Sequence, residues 1–211
     1  MKFLFTTLLM LFTSAATAAE PAQGQEYMQT QQIIPAQNPA KVEVLELFWY
    51  GCPHCYHLEP QLTEWAKKLP KDVEFRRVPG IARQEWVAGA KAFYAMEELK
   101  ISDKLHVALF DAIHKSRTVK PTDEAAILDW ITKQSGLDRK KVEDAYKGFS
   151  VNTKVMRAMQ IFRASGATGV PTLIIDGKYQ TSVSIAGGNT EVLNVASYLI
   201  AKARAEKTAQ R

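Results

Sequence analysis

Val42-Glu43-Val44-Leu45-Glu46-Leu47-Phe48-Trp49-Tyr50-Gly51-Cys52-Pro53-His54-Cys55 joins a mainly apolar, β-prone run to two closely spaced cysteines. From Val42 to Tyr50 only Glu43 and Glu46 break the apolar character, which predicts a buried strand. Pro53 then suits the first turn of a helix, where its missing N–H is no loss. Leu58, Leu62, Trp65 and Leu69 follow at spacings of four, three and four, a helical pattern. Cys52 is thereby placed at a helix N-terminus, where free backbone N–H groups and the positive end of the macrodipole favour thiolate over thiol. Cys55, one turn inside, reads as the resolving thiol.

Two other readings compete for these cysteines, which are the only two in the chain. As a structural staple the pair is poorly placed, because a bridge so local constrains the unfolded chain little. As a metal site, Cys52, His54, Cys55 and His57 are too close in sequence: one helical turn cannot aim four neighbours at one tetrahedral centre. His106 and His114 stand apart in a helical stretch and read as surface residues. The redox reading alone accounts for the strand before the motif and the helix after it.

At the N-terminus, Lys2 precedes an apolar run from Phe3 to Phe12 and then Ser14, Ala15, Ala16, Thr17, Ala18 and Ala19. That is the pattern of a signal peptide, with Ala16 and Ala18 fitting cleavage after residue 18 and Ala19 an alternative. The run is about ten residues long, against the ~20 that cross a bilayer. Export implies an oxidising compartment. Glu20 to Glu26 reads as a disordered lead-in. The 27 basic and 22 acidic side chains, net charge +5, are scattered through 211 residues. Such a distribution gives solubility rather than a nucleic-acid surface.

Val73 to Val78 reads as a second strand, after which Gln84 to Phe149 is almost wholly helical. Trp86, Ala90 and Phe93 mark one amphipathic stretch, and Leu105, Leu109 and Ile113 another. Ile127, Trp130, Ile131 and Gln134 mark a third, opened by Pro121 with Thr122 as its cap, and Val142, Ala145, Tyr146 and Phe149 a fourth. A longer helix is predicted over Val151 to Ser165, ending at Gly166. Leu173 to Ile175 and Tyr179 to Val183 flank Asp176-Gly177, a hairpin signal. A final helix carries Val192, Val195, Ala196, Leu199 and Ile200. The pattern predicts an α/β chain with a helical insertion.

With Gly169-Val170-Pro171-Thr172 before a late strand, the Cys-Pro-His-Cys helix start resembles the DsbA family of the thioredoxin superfamily. Phe48-Trp49-Tyr50, Tyr56 and Asp176-Gly177-Lys178-Tyr179 extend the resemblance over nearly the whole chain after the leader. It implies a thioredoxin-like fold with an inserted all-helical domain: residues 27–83 and 151–206 form one discontinuous domain, 84–150 the insertion, and 1–18 the signal peptide. It also implies a cis Val170–Pro171 bond beside Cys52, whereas an arbitrary X-Pro bond is cis only ~5% of the time. The Val170 backbone would then offer hydrogen bonds to an extended substrate segment. His54 is expected to direct a hydrogen bond or positive charge at the Cys52 thiolate; its plain alternative is a solvated histidine. Glu46 is expected to be a buried acid with a raised pKa that relays protons to Cys55, its alternative a solvated strand carboxylate. Glu59 adds a second acidic influence.

What the resemblance implies is a periplasmic protein disulfide oxidoreductase; no cofactor or metal is expected, and a monomer is the default. Cys52 and Cys55 would be catalytic, Pro53, His54 and Glu46 would tune the thiolate, and Val170 and Pro171 would bind substrate. Its partners would be reduced or unfolded exported proteins and a DsbB-like membrane quinone reductase. A reductase or isomerase on the same fold, or a holdase without redox turnover, would be the rivals.

Overall fold

The computed structural model describes residues 20–209; the expected signal peptide lies outside them. Strand β1 spans Met28–Gln29, β2 Val42–Phe48, and helix α1 Pro53–Lys67, followed by β3 Val73–Pro79. Helices α2 Val87–Glu98, α3 Ser102–His114, α4 Glu124–Ser135, α5 Arg139–Lys147 and α6 Phe149–Ser165 come next. Strands β4 Thr172–Ile175 and β5 Tyr179–Ser182, the short α7 Val183–Ala186 and α8 Asn189–Ala209 complete the chain. The sheet runs β1-β5-β4-β2-β3. Strands β2 and β3 are parallel, joined by α1, whereas β2 with β4 and β4 with β5 are antiparallel.

Every residue of β2 is buried, because both faces of the sheet are covered. Side chains alternate across a strand. Val42 and Val44 accordingly join the core formed with Leu58 and Leu62 of α1 and Val192, Ala196 and Leu199 of α8. Leu45 and Leu47 join the larger core of α2 to α6, with Phe93, Phe110, Ile131 and Tyr146. Glu46 shares the parity of Val42 and Val44, so the strand itself turns it toward α1. Between β3 and β4 the chain is helical, and the α/β fold with inserted helices is the one expected.

The longer helix starts at Phe149, two residues before the expected Val151, and Gly166 caps it in the left-handed conformation at φ 71°. Asp123, rather than Thr122, caps α4, its carboxylate accepting the Ala126 N–H at 3.0 Å. Aspartate is among the best acceptors for this task. Strand β5 stops at Ser182, whose hydroxyl caps α7, so Val183 is helical. The two-residue β1 was not foreseen; it pairs with β5 and has no periodicity to read.

Candidate active site at the Cys-Pro-His-Cys helix start

Cys52 occupies the cap position of α1 in extended conformation, and Pro53 begins the helix. The Cys52 carbonyl accepts the Tyr56 N–H at 3.1 Å, while its own N–H reaches the Trp49 carbonyl at 2.9 Å. The sulfur is thus tied on both sides to a fixed backbone. A Cβ on Gly51 would stand 2.4 Å from the Trp49 ring, so glycine permits the turn that stacks Trp49 on Trp86 at 4.3 Å.

Both cysteines are free thiols, and they titrate in opposite directions. The Cys52 pKa is lowered from 9.0 to about 6. The leading cause is the hydrogen bond from the Cys55 thiol, set against burial and assisted by the backbone N–H groups of Cys55 and His54 and by the His54 charge. Burial drives Cys55 well above an ordinary thiol, and the hydrogen bond it gives to Cys52 holds its proton further. Pro53 and His54 are solvent-exposed, whereas Cys55 is fully buried.

The Val170–Pro171 bond is cis, and it lies beside the motif: Cys52 Sγ donates to the Val170 carbonyl at 3.4 Å. Gly80 makes room for this loop, since a Cβ there would meet Val170 Cγ1 at 2.6 Å. A groove of about 810 Å³ opens alongside, bordered by His54, Val170, Pro171, Met28 and Ile185. Residues 118 apart in sequence thus meet at one sulfur.

Residues 77–199 match the DSBA-like thioredoxin domain family. The thiol:disulfide interchange protein DsbA of Pseudomonas aeruginosa is 38% identical over 195 residues, covering 92% of each chain. That of Pseudomonas syringae pv. tomato is 37% identical over 202 residues, covering 95% of this chain and 94% of the relative. The crystal structure of Pseudomonas aeruginosa DsbA matches with a TM-score of 0.82 at 36% identity, over 90% of this chain and 97% of that one. The chain belongs to the DsbA family. It is a protein disulfide oxidoreductase with a thioredoxin-like fold.

Behind the motif, this DsbA-family chain buries a group of charges of which only the two acids were anticipated. Glu46 is fully buried, and its pKa is raised from 4.5 to about 8, burial outweighing the attraction of Arg77. Arg77 is its partner in the parallel register of β2 and β3, with Nε 3.2 Å from Glu46 Oε2. The same guanidinium donates from Nη2 to Glu59 Oε1 at 2.5 Å and to Thr63 at 2.8 Å.

His106 and His114 correct the surface assignment. His106 is 5% exposed, packed edge-on against Phe48, Phe93 and Phe110. Its Nδ1 lies 2.7 Å from the Tyr50 hydroxyl. His114 is half-buried, its Nε2 2.7 Å from the Tyr50 carbonyl. On α3 these residues flank the Leu105, Leu109, Ile113 stripe, so the apolar face is wider than three aliphatic residues indicate. Asp111, from the same helix, accepts the Tyr56 hydroxyl at 2.8 Å. Helix α3 therefore grips the motif on both sides. Among the described residues no helix is long and apolar enough to cross a membrane.

Proposed function

We propose that the oxidised protein donates the Cys52–Cys55 disulfide to newly exported, reduced proteins in the periplasm and is reoxidised by a DsbB-like membrane quinone reductase. A substrate thiolate attacks Cys52 Sγ; a mixed disulfide forms and Cys55 leaves as a thiolate, which takes up a proton. A second substrate thiolate then attacks the substrate sulfur of that bridge, releasing Cys52 as a thiolate and the substrate as a disulfide. Two electrons pass to the protein, and the reverse transfer to the quinone reductase closes the cycle. The opposed titration of the two thiols carries this reading: a leaving group, Cys52, that is stable as a thiolate, and a fully buried partner that keeps its proton. With the Cys52 pKa at about 6, the thiolate stabilises the reduced form by about 1.4 kcal/mol at pH 7, equivalent to ~30 mV toward a stronger oxidant.

In this reading Pro53 and His54 tune the Cys52 thiolate and Glu46 relays a proton to or from Cys55. Val170 and Pro171 receive an extended substrate strand through the Val170 backbone. Residues 27–83 and 151–206 constitute the redox domain, 84–150 the helical insertion, and 1–18 the export signal. The protein acts as a monomer without cofactor or metal. The deciding measurement is the equilibrium of the pair with glutathione buffers. A potential clearly more oxidising than the glutathione pool is expected; one near that of a thioredoxin-like reductant would make the protein a reductase. Replacing Cys52 and Cys55 by serine should abolish activity, and retained oxidase activity would overturn the site.

A further inference from the structure

His106 is a buried titratable side chain that the exchange chemistry leaves without a role. It comes from α3, outside the strand–helix–strand unit that bears the cysteines, and its Nε2 lies 3.5 Å from Glu59 Oε2. An ionised carboxylate only accepts, so the imidazole proton sits on Nε2 toward Glu59 and Nδ1 accepts from the Tyr50 hydroxyl. Tyr50 stays protonated, its pKa raised by burial first and by nearby Glu59.

The two carboxyls that share Arg77 are unequally supported. Glu59 has Thr63, whose hydroxyl donates at 2.7 Å, Arg77 at 2.5 Å, and His106. Among the described residues Glu46 has Arg77 alone, and neither of its oxygens has a well-aligned hydrogen bond despite the 3.2 Å approach of Nε. Glu59 Oε2 and His106 Nε2 are likewise misaligned and buried, at the wall of a cavity of about 1060 Å³ that Arg77 also lines.

We propose that His106 is a positioning residue of the redox centre: by holding Glu59 ionised it keeps Arg77 shared, and so leaves Glu46 as the carboxylic acid that carries a proton beside Cys55. This assignment rests on the proton role given above to Glu46. Without the Nε2–H, Glu59 Oε2 loses the one donor that approaches it among the described residues, and the buried carboxyl, although still touched by Arg77 at Oε1, takes a proton more readily. A neutral Glu59 neither competes for Arg77 nor repels charge on Glu46, and Glu46 ionises at lower pH. The charged and titratable groups that act on the pair are Cys52 at the α1 cap, Cys55 and Glu59 from α1, Arg77 from β3 and Tyr50 after β2, while Lys67, Arg76, Asp103, Lys154 and Arg157 line the same cavity. His106 from α3 completes the set, and Glu97 of α2 acts through Tyr50. The directions agree: His106 lowers the Glu59 pKa, and Glu59 raises that of Glu46.

The test is the pH dependence of the Cys52/Cys55 equilibrium with glutathione, corrected for glutathione ionisation, between about pH 5 and pH 9. Each additional proton taken up with the two electrons changes the equilibrium constant tenfold per pH unit. In the unaltered protein Glu46 takes up its additional proton on reduction because the Cys52 thiolate, absent from the oxidised form, raises its pKa. The Glu46-linked window should end near pH 8, where the reduced form loses that proton. His106→Asn keeps a partner for Tyr50 and removes the arm toward Glu59, and it should move the end of the window down by roughly one pH unit. Glu59→Gln should do the same, and His106→Gln, which restores a donor near Nε2, should bring it back. A folded His106→Asn protein with an unmoved window, or a Glu59→Gln window moved upward, overturns the proposal. If His106→Asn does not fold, Glu59→Gln decides, since it neutralises the same carboxyl. Glu46→Gln separates the two readings: if the extra tenfold dependence survives it, the proton role of Glu46 fails whatever His106 does.

Discussion

Replacing Glu46 by glutamine should make the reduced protein more stable at neutral pH. The folded chain keeps the Glu46 proton up to about pH 8, while an unfolded glutamate releases it near 4.5. Folded pKa above unfolded pKa means that the native state binds more protons between those values, so stability falls as pH rises through that interval. At about 1.4 kcal/mol per pH unit, the loss reaches about 3 kcal/mol at pH 7. Glutamine has the shape of the protonated acid and never ionises, so the variant escapes that loss. Urea unfolding of both reduced proteins at pH 7 and at pH 4.5 measures it. The variant should be more stable by about 3 kcal/mol at pH 7, and the gap should close by pH 4.5. Equal stability at pH 7, or a gap that persists on acidification, would refute a neutral, buried Glu46.

Thiolate absorbance and the rate of alkylation should both give a half-point for Cys52 near pH 6, with Cys55 silent over the same range; a half-point near 9 would defeat the helix-start argument. Cys52 also contributes to stability through its lowered pKa. Its folded pKa lies below its unfolded one, so that contribution to the reduced protein is complete above pH 9.0 and lost as pH falls through about 6. Asp123→Ala should cost about 1 kcal/mol by removing the cap of α4, visible in urea unfolding; an unchanged midpoint would show that the Ala126 N–H finds another partner.

Where neighbours in sequence are also neighbours in space, the chain could be read directly. The run from Val42 to Cys55 contains its own strand, its helix start and the position of Cys52 on the helix, because backbone hydrogen bonding and the macrodipole act within a turn. The acid at Glu46 was visible as an anomaly in an apolar strand. The cis bond at Val170–Pro171 came from the resemblance alone, since nothing in Val-Pro distinguishes it from any other X-Pro pair.

His106, read as a surface residue, is the instructive miss. Periodicity in Leu105, Leu109 and Ile113 marks which face of a helix is buried, but it carries no information about what that face is buried against. The partner here is Tyr50 and, beyond it, Glu59, which belong to segments about fifty residues earlier. Arg77 likewise looks like one of two ordinary basic residues in β3 until the parallel register places it beside Glu46. The strand, the helix start and the place of Cys52 upon it have local causes, and the residues alone carry them. Which charges share the space behind Cys55 follows from packing, because burial and Coulomb interaction depend on distance in space.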